Sequence, residues 1–581
     1  MYKQGVPEVR VTTERTWITT QAAVSGTRSA AAFRKMHSLG RPGIWLGALI
    51  GLILTAPLTA IFYCAHRLVN LPFVPFHIFD WQTRVLPGAV VTAGIDAMVR
   101  TIHTLGLPGT SNTAKLAEQT MAVAGFIIAG VIAAAIFFAL MRLADRDFSL
   151  PAGLIAGGLL GAAAACITNS VSPSAAHHAV VRGAWIVVAF LAWGAVLGWA
   201  YRRTCRPVAE REGVAVPPAR VDASDRRRFV VQLGGAAAVI TVVGATVGKA
   251  LQQHEEQQGV ASRLQPGGPW SASHPLPNAD ATVKPVPGTR PEFTPLKDHY
   301  RIDINTTPPA VDEASWRLQI SGLVDRPLTL TLADLRARPP MHQFITLSCI
   351  SNTVGGDLIG TTRWTGVSLK QMLPDLGLRP NATHLKIRSV DGFYEVVALD
   401  TIKGDDRVML TYAWDGLPLA QDHGFPLRIY IPDRYGMKQP KWIESIEATD
   451  HWEPGYWVVR GWDRNAIMKA TSVIDTVATN MMIGSDHAGL HVPIGGIAHA
   501  GVRGISKVEI QVDDGPWMPA QLRTPLSGQT WVLWRYDWPF QAGKHTFTVR
   551  CYDGSGAAQI EQEAPPHPSG ATGLNSRSVM L

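Results

Sequence analysis

Cysteine is scarce in this chain: Cys64, Cys166, Cys205, Cys349 and Cys551 are the 5 among 581 residues. No two form a CxxC pair, which leaves zinc ribbons and thioredoxin-like redox centres without a sequence basis, and a sparse, odd count does not build a disulfide scaffold. There is no CxxCH for covalent haem, no GxSxG elbow for a serine hydrolase and no local cysteine-protease signature. Acidic residues are outnumbered, giving a formal net charge of +8. The excess lies largely beside apolar segments in the first 250 residues, where a membrane explains it better than a nucleic acid does.

Long apolar runs are what the chain does have. Five are long enough for a bilayer of roughly 30 Å, near 43–65, 119–141, 150–171, 181–201 and 229–250. The second, "MAVAGFIIAGVIAAAIFFAL", carries no charge, and the third, "PAGLIAGGLLGAAAACI", is rich in the small residues that allow close helix packing. Residues 84–105 are apolar but interrupted by Asp96, Arg100 and His103. They read as an amphipathic or re-entrant segment, with a sixth span as the alternative.

Basic residues set the orientation. Arg28, Arg34, Lys35 and Arg41 precede the first run, and Arg202, Arg203, Arg206, Arg211, Arg220 and Arg226 to Arg228 crowd the loop before the fifth. The segment 1–42 is therefore expected in the cytoplasm, 43–251 as an all-α membrane bundle, and everything beyond on the outer face of the cytoplasmic membrane. "SDRRRFVVQLGG" has the form of a twin-arginine export signal, which serves domains exported folded; a plain positive flank is the alternative. His66, His77, His103, His177 and His178 sit at span ends or in loops, so no haem is expected in this chain. Residues 252–298 are proline-dense without hydrophobic period, the pattern of a semi-rigid linker.

From 299 to 460, runs such as "WRLQISGLV", "QFITLSCI", "HLKIRSV", "FYEVVAL", "PLRIYIP" and "KWIESIEA" alternate with short helical pieces, "LADLRAR" and "SLKQML". That predicts a mixed α+β domain. From 461 to 581, "SKVEIQVDDG" and "KHTFTVRC" alternate strictly and end in turn residues, which predicts an immunoglobulin-like β-sandwich.

Cys551 falls on the inward face of such a strand and reads as a core thiol. Cys349 differs: it ends a strand and enters "SNTVGGDLIG", where glycines let the backbone approach another group closely. The pattern leaves both a core thiol and a site residue open. Downstream, "DHGFPLRIYIPDRYGMKQPKW" gathers His423, Arg428, Arg434, Lys438 and Lys441 around two strands, which suits an anion or merely a solvated face.

Taken together, "ITLSCISNTVGGDLIGTTRWTGVSL", "DHGFPLRI", "KWIESI" and "GYWVVRGWDR" resemble the sulfite oxidase family of molybdopterin oxidoreductases, and 461–581 resembles its dimerisation domain. The likeness covers about 293–581. It implies a molybdenum–molybdopterin cofactor with Cys349 as metal ligand. It aims His423, Arg428, Lys441, Asn352, Arg363, Tyr300 and Asp303 at the cofactor, with Trp364 as a wall. Arg301 and Tyr456 become candidate catalytic residues, with Trp457 and Trp462 as competitors for the latter. The family's anion-binding arginine has no exact counterpart, because "RIDIN" shifts the register. The implied activity is two-electron oxo transfer on a small oxo donor or acceptor, sulfite among the candidates. Reduction of S-oxides or N-oxides is one alternative, and a non-catalytic membrane assembly or sensor protein is another. The implied partners are membrane lipid, a separate electron-transfer protein such as a cytochrome, and a second copy of the chain.

Overall fold

The structure, a computed structural model, describes residues 42–106, 109–143, 146–171, 179–205, 223–263, 275–481, 483–485 and 489–581. Nearly all of the segment 1–42, most of the arginine-rich loop 202–228, and linker residues 264–274 lie outside the described residues.

The helices of the first half are α1 (Ile44–Val69), α2 (Val74–Val85), α3 (Gly88–Thr104), α4 (Thr110–Met141), α5 (Ser149–Val171), α6 (Ala179–Thr204) and α7 (Ala223–Arg263). Five of them, α1, α4, α5, α6 and α7, contain stretches long and apolar enough to cross a membrane. The chain divides into two compact units. One takes most of these apolar helices. The other takes Phe79–Met121, the last residues of α5 and Gln253–Leu581.

In the helical unit, small residues set the packing. A Cβ added at Gly153, Gly157, Gly194 or Gly198 would overlap the backbone of the opposing helix, so α5 and α6 meet through glycine. Gly47 and Gly51 of α1 lie likewise against Phe138 and Ala134 of α4. Close approach of this kind supplies the dispersion contact that holds helices together where no water is displaced. Phe62, Phe126 and Phe190 pack together in the core.

The second unit is rich in sheet. Its first ten strands are β1 (Leu318–Gly322), β2 (Leu328–Leu330), β3 (Met341–Ser348), β4 (Ile359–Ser368), β5 (His384–Ser389), β6 (Tyr394–Ala398), β7 (Met409–Trp414), β8 (Leu417–Pro418), β9 (Arg428–Tyr430) and β10 (Ile443–Thr449). They form one sheet ordered β2-β1-β10-β5-β6 and another ordered β3-β4-β7-β8, with β9 pairing β7. Short helices α8 (Leu332–Arg336), α9 (Leu369–Leu376) and α10 (Leu399–Gly404) join them. A capping box between Thr331 and Asp334 starts α8, and the αL glycine Gly377 ends α9. Leu318, Ile320, Ile387, Leu410, Ile429 and Ile446 share one core, so both sheets bury one face against it.

The remaining strands include β11 (Thr471–Val477), β12 (Ile483–Ser485), β13 (Gly489–His499), β14 (Ile505–Val512), β15 (Met518–Pro519), β16 (Gln521–Leu522), β17 (Val532–Pro539), β18 (Lys544–Asp553) and β19 (Asn575–Met580). One sheet runs β11-β13-β17-β16, and β14, β18 and β19 lie side by side in another. Val492, Ile494 and Trp534 of the first meet Val508, Ile510, Phe547, Val549 and Cys551 of the second. The predicted inward alternation is seen, and Cys551 is a fully buried core thiol.

Two stretches differ from expectation. Residues 79–121, read with the membrane region, cluster with the carboxy-terminal half, because their polar side chains find partners there. Asp80 accepts from the Thr306 backbone at 2.8 Å, and Arg84 donates to Asn305 Oδ1 and the Asp391 carbonyl. The described end of the expected linker is also packed. Glu292 pairs with Arg523 at 2.9 Å, its carbonyl accepts from the Trp531 indole, and Val286 is buried.

A candidate active site around Cys349

Strands β3 and β4 form an antiparallel hairpin whose last pair is Ser348 with Ile359. Cys349 follows at once. Its N–H donates to the Leu358 carbonyl at 2.9 Å, and the Asn352 N–H donates back to its own carbonyl at 3.1 Å. The thiol is thus held at the closed end of a hairpin, where it lines a cavity with His299, Tyr300, Asp303, Asp391, His423, Arg428 and Lys441. Cys349 Sγ lies 2.9 Å from Ser351 Oγ. Burial pushes the thiol pKa up, against the pull of that hydrogen bond.

The cationic side is built from buried side chains. Arg428 begins β9, is buried, and lays its guanidinium over the Trp364 ring at 4.9 Å. Its Nη1 donates to the His423 carbonyl at 3.3 Å, but among the described residues no carboxylate pairs with it. Burial lowers its pKa to about 10. Lys441 donates to the Asp422 carbonyl at 3.1 Å and sits 3.5 Å from Asp303; burial brings its pKa down to about 8. Burial would raise the Asp303 carboxyl, yet Lys115, Lys441 and Arg301 together hold it far below the usual range.

His299 was missed in the sequence, although it directly precedes Tyr300 in "DHYRIDIN". Its ring stacks on Tyr300 and meets His423 edge-on at 5.7 Å. Burial, then Arg428, lowers its pKa to about 3, and burial likewise holds His423 well below its normal value. Both imidazoles are therefore neutral at pH 7. His299 Nε2 is buried without a hydrogen-bond partner among the described residues.

The predicted residues are not all brought together. Cys349, Tyr300, Asp303, His423, Arg428 and Lys441 converge on the cavity. Arg301 lies beside it, with Nε on Asp303 at 2.8 Å and Nη1 3.9 Å from Asp422. Asn352 does not reach it: its Oδ1 accepts from the Leu358 N–H inside the loop. Arg363 does not either. It pairs with Asp415 at 2.8 Å, and its guanidinium lies over the rings of Phe293 and Phe344. Trp364 lies under Arg428 rather than among the lining residues. Tyr456 is buried under the Arg460 guanidinium, and it is Trp457 and Trp462 that line the cavity. The cavity also takes Ile95, Met98 and Val99 of α3 and Thr110, Ser111, Ala114, Lys115 and Glu118 of α4. An apolar repeat at Ile95, Met98, Val99 and Ile102 was the sequence signal for that face.

A soft thiol and a buried arginine without a carboxylate among the described residues line one cavity. Residues 305–457 match the family model described as oxidoreductase molybdopterin binding domain. The chain is 30% identical to the oxidoreductase YuiH of Bacillus subtilis, itself uncharacterised, over 26% of this chain and 74% of that protein. It is 31% identical to YedZ1 of Azospira oryzae, provisionally named a protein-methionine-sulfoxide reductase subunit, over 26% of this chain and 56% of that one. It is 26% identical to the sulfite oxidase of Gallus gallus over 44% of this chain and 66% of that one. Among solved structures, the sulfane dehydrogenase SoxCD of Paracoccus pantotrophus aligns with a TM-score of 0.44 and 19% identity, over 56% of this chain and 90% of that chain. The chain belongs to the sulfite oxidase family of molybdopterin-dependent oxidoreductases.

The residues present fit the family's molybdenum–molybdopterin cofactor. Cys349 offers the soft sulfur donor that such a metal prefers. Among the described residues, Arg428 and His299 Nε2 are buried groups that lack an anion and a hydrogen-bond partner respectively. A buried charge left unpaired costs several kcal/mol, which an anionic cofactor would offset.

Proposed function

We propose that this chain is a membrane-anchored enzyme of two-electron oxo transfer on a small substrate, acting outside the cytoplasm. The observation that carries the reading is Arg428, a buried cation without a carboxylate among the described residues, on the same cavity as Cys349. The cofactor, when bound, supplies the two-electron oxo-transfer chemistry. Cys349 would ligate its metal, while Arg428, Lys441, His423, His299 and Tyr300 would hold its anionic and polar parts. Asp303 keeps Arg301 and Lys441 in place, and Trp457 and Trp462 keep water from the reacting end. We read 43–251 as the membrane region, 299–460 as the catalytic domain, and 461–581 as an immunoglobulin-like module that pairs two copies. Electrons would pass to or from a separate cytochrome-like protein.

The topology rests on two supports. Basic loops favour a cytoplasmic amino terminus. With five spans, residues 79–121 flanking the second span, the end of α5 and the carboxy-terminal half all fall on one side, and these are the stretches gathered in one compact unit.

A second reading, reduction of an S-oxide, is favoured by the apolar lining and by Arg301, whose guanidinium is engaged by Asp303. Purified holoprotein assayed with sulfite, sulfoxide and N-oxide panels and artificial electron carriers separates the two. Cys349→Ser should abolish every activity while the protein stays folded. Full turnover in that variant would end the assignment.

A further inference from the structure

Residues 79–118 do more than border the cavity. They are fastened to three of the segments that frame it. Thr92 Oγ1 lies 3.4 Å from the Arg460 carbonyl, and Gly88 abuts Arg460 so closely that a Cβ would come within 2.7 Å. The Thr110 N–H donates to Asp357 at 2.9 Å, in the loop that follows Cys349. Ser111 Oγ accepts from the Arg301 N–H at 2.9 Å. Lys115 Nζ donates to the carbonyls of Asp303 and Asn305 at 3.1 and 2.9 Å.

These anchors divide the covering into two parts. The start of α4 lies along the entry segment 301–305, with Asp303 and the Lys441 ammonium beyond it. The helix α3 meets the Arg460 turn through Gly88 and Thr92, beside the cavity-lining Trp457 and Trp462. The side chains it turns into the cavity are Ile95, Met98 and Val99, all uncharged, while Asp96 and Arg100 are not among the lining residues. Trp457, Trp462, Ile350, Leu358 and Met437 line the same cavity. A compact inorganic anion gains nothing from such a surface, whereas an apolar group removed from water gains about 25 cal/mol per Å².

We propose that α3 is a substrate-selecting cap, in which Ile95, Met98 and Val99 receive the apolar substituent of an organic S-oxide. This rests on the oxo-transfer reading above and names its substrate class. In the reaction, one sulfoxide takes up two protons and two electrons and yields one thioether and one water, with the electrons coming from a reduced viologen dye in the assay. The sulfur–oxygen bond breaks, the sulfur is reduced and the oxygen leaves as water.

The test uses full-length holoprotein in detergent. Two measurements are made on wild type, Met98→Ala and Met98→Leu. The first is the ratio of kcat/KM for methyl phenyl sulfoxide to that for dimethyl sulfoxide. The second is the Kd of methyl phenyl sulfone, which the dye-linked reaction does not reduce, read from tryptophan fluorescence. Met98→Ala should lower the ratio and weaken sulfone binding by about tenfold, the scale of a lost apolar contact in a specificity pocket. Met98→Leu should restore most of both, and molybdenum content should match in all three. An unchanged ratio in Met98→Ala overturns the cap. If wild type reduces neither sulfoxide, the S-oxide class is wrong and the sulfone decides the cap alone. Binding that weakens in Met98→Ala then upholds the cap, and binding that is absent or indifferent to Met98 removes it.

Discussion

Arg428 is the residue whose surroundings say most. A guanidinium grips an oxyanion through two parallel hydrogen bonds, which an ammonium cannot reproduce. Contacts to charged groups are worth about 1.5–3 kcal/mol each, so Arg428→Ala should weaken cofactor retention by roughly tenfold or more. Molybdenum and pterin should fall together in the purified variant, and Arg428→Lys should recover only part. Full occupancy with a raised KM would make it a substrate group instead. This residue stood out because "DHGFPLRI" is compact in sequence, with His423 and Arg428 on the cavity while Leu427 and Ile429 fill the core. Arg363 lies away from the cavity, because a motif gives position without direction. On β4, Arg363 stands opposite Phe344 and faces that ring, whereas its neighbour Trp364 points to the other face, under Arg428. Tyr456 lies outside the cavity lining for a related reason: a three-residue turn, 458–460, folds Arg460 back over its ring and leaves the cavity to Trp457.

At the scale of elements, strands with clean alternation were readable and the covering helices were not. The β-runs at 316–324 and 505–512 declare themselves by period, and their inward residues are buried. Residues 84–105 carry a helical period too, but a sequence cannot say whether its apolar face meets lipid or protein. Just before that stretch, Asp80 anchors the chain to the carboxy-terminal half. Its carboxylate accepts from the Thr306 backbone and hydroxyl, in reach of the Lys115 and Arg84 charges, and burial raises its pKa to about 6. The folded form therefore holds a proton more tightly than the unfolded chain. Stability from this group is present below pH 4 and is lost as pH rises to 6. Asp80→Asn keeps the acceptor without the charge. It should raise the stability of this unit above pH 6 by at most about 3 kcal/mol, from 1.36 kcal/mol per pKa unit, and the gain should vanish near pH 4. Thermal unfolding of both proteins across pH 4–7 checks the sign, and an equal offset at every pH would rule this carboxyl out as the cause.

For the whole molecule, five apolar helices were visible at once, because a span must satisfy its backbone internally and declares itself by length. The packing of 275–298 was hidden, since irregular chain buries residues such as Val286 and Asn278 without any period. The proposed topology predicts opposite signals from reporter fusions at residues 215 and 300. Matching signals would mean that 84–105 crosses the membrane or that another span was miscounted.

The covering of the cavity by residues that lie between the first and second spans has a consequence for biogenesis. On the proposed topology, those residues would leave the cytoplasm with the first spans, and the catalytic half, on the export-signal reading of "SDRRRFVVQLGG", would follow later already folded. The two can meet only after translocation. On that route the metal centre would be filled on the near side of the membrane, before the Lys115 clamp on Asp303 and Asn305 forms. Loading would then be a one-way event, with protein that arrives empty sealed empty. Membranes carrying the wild-type protein made without molybdenum should accordingly stay inactive when free cofactor is added from outside, and refilling there would show that the covering opens in the mature protein.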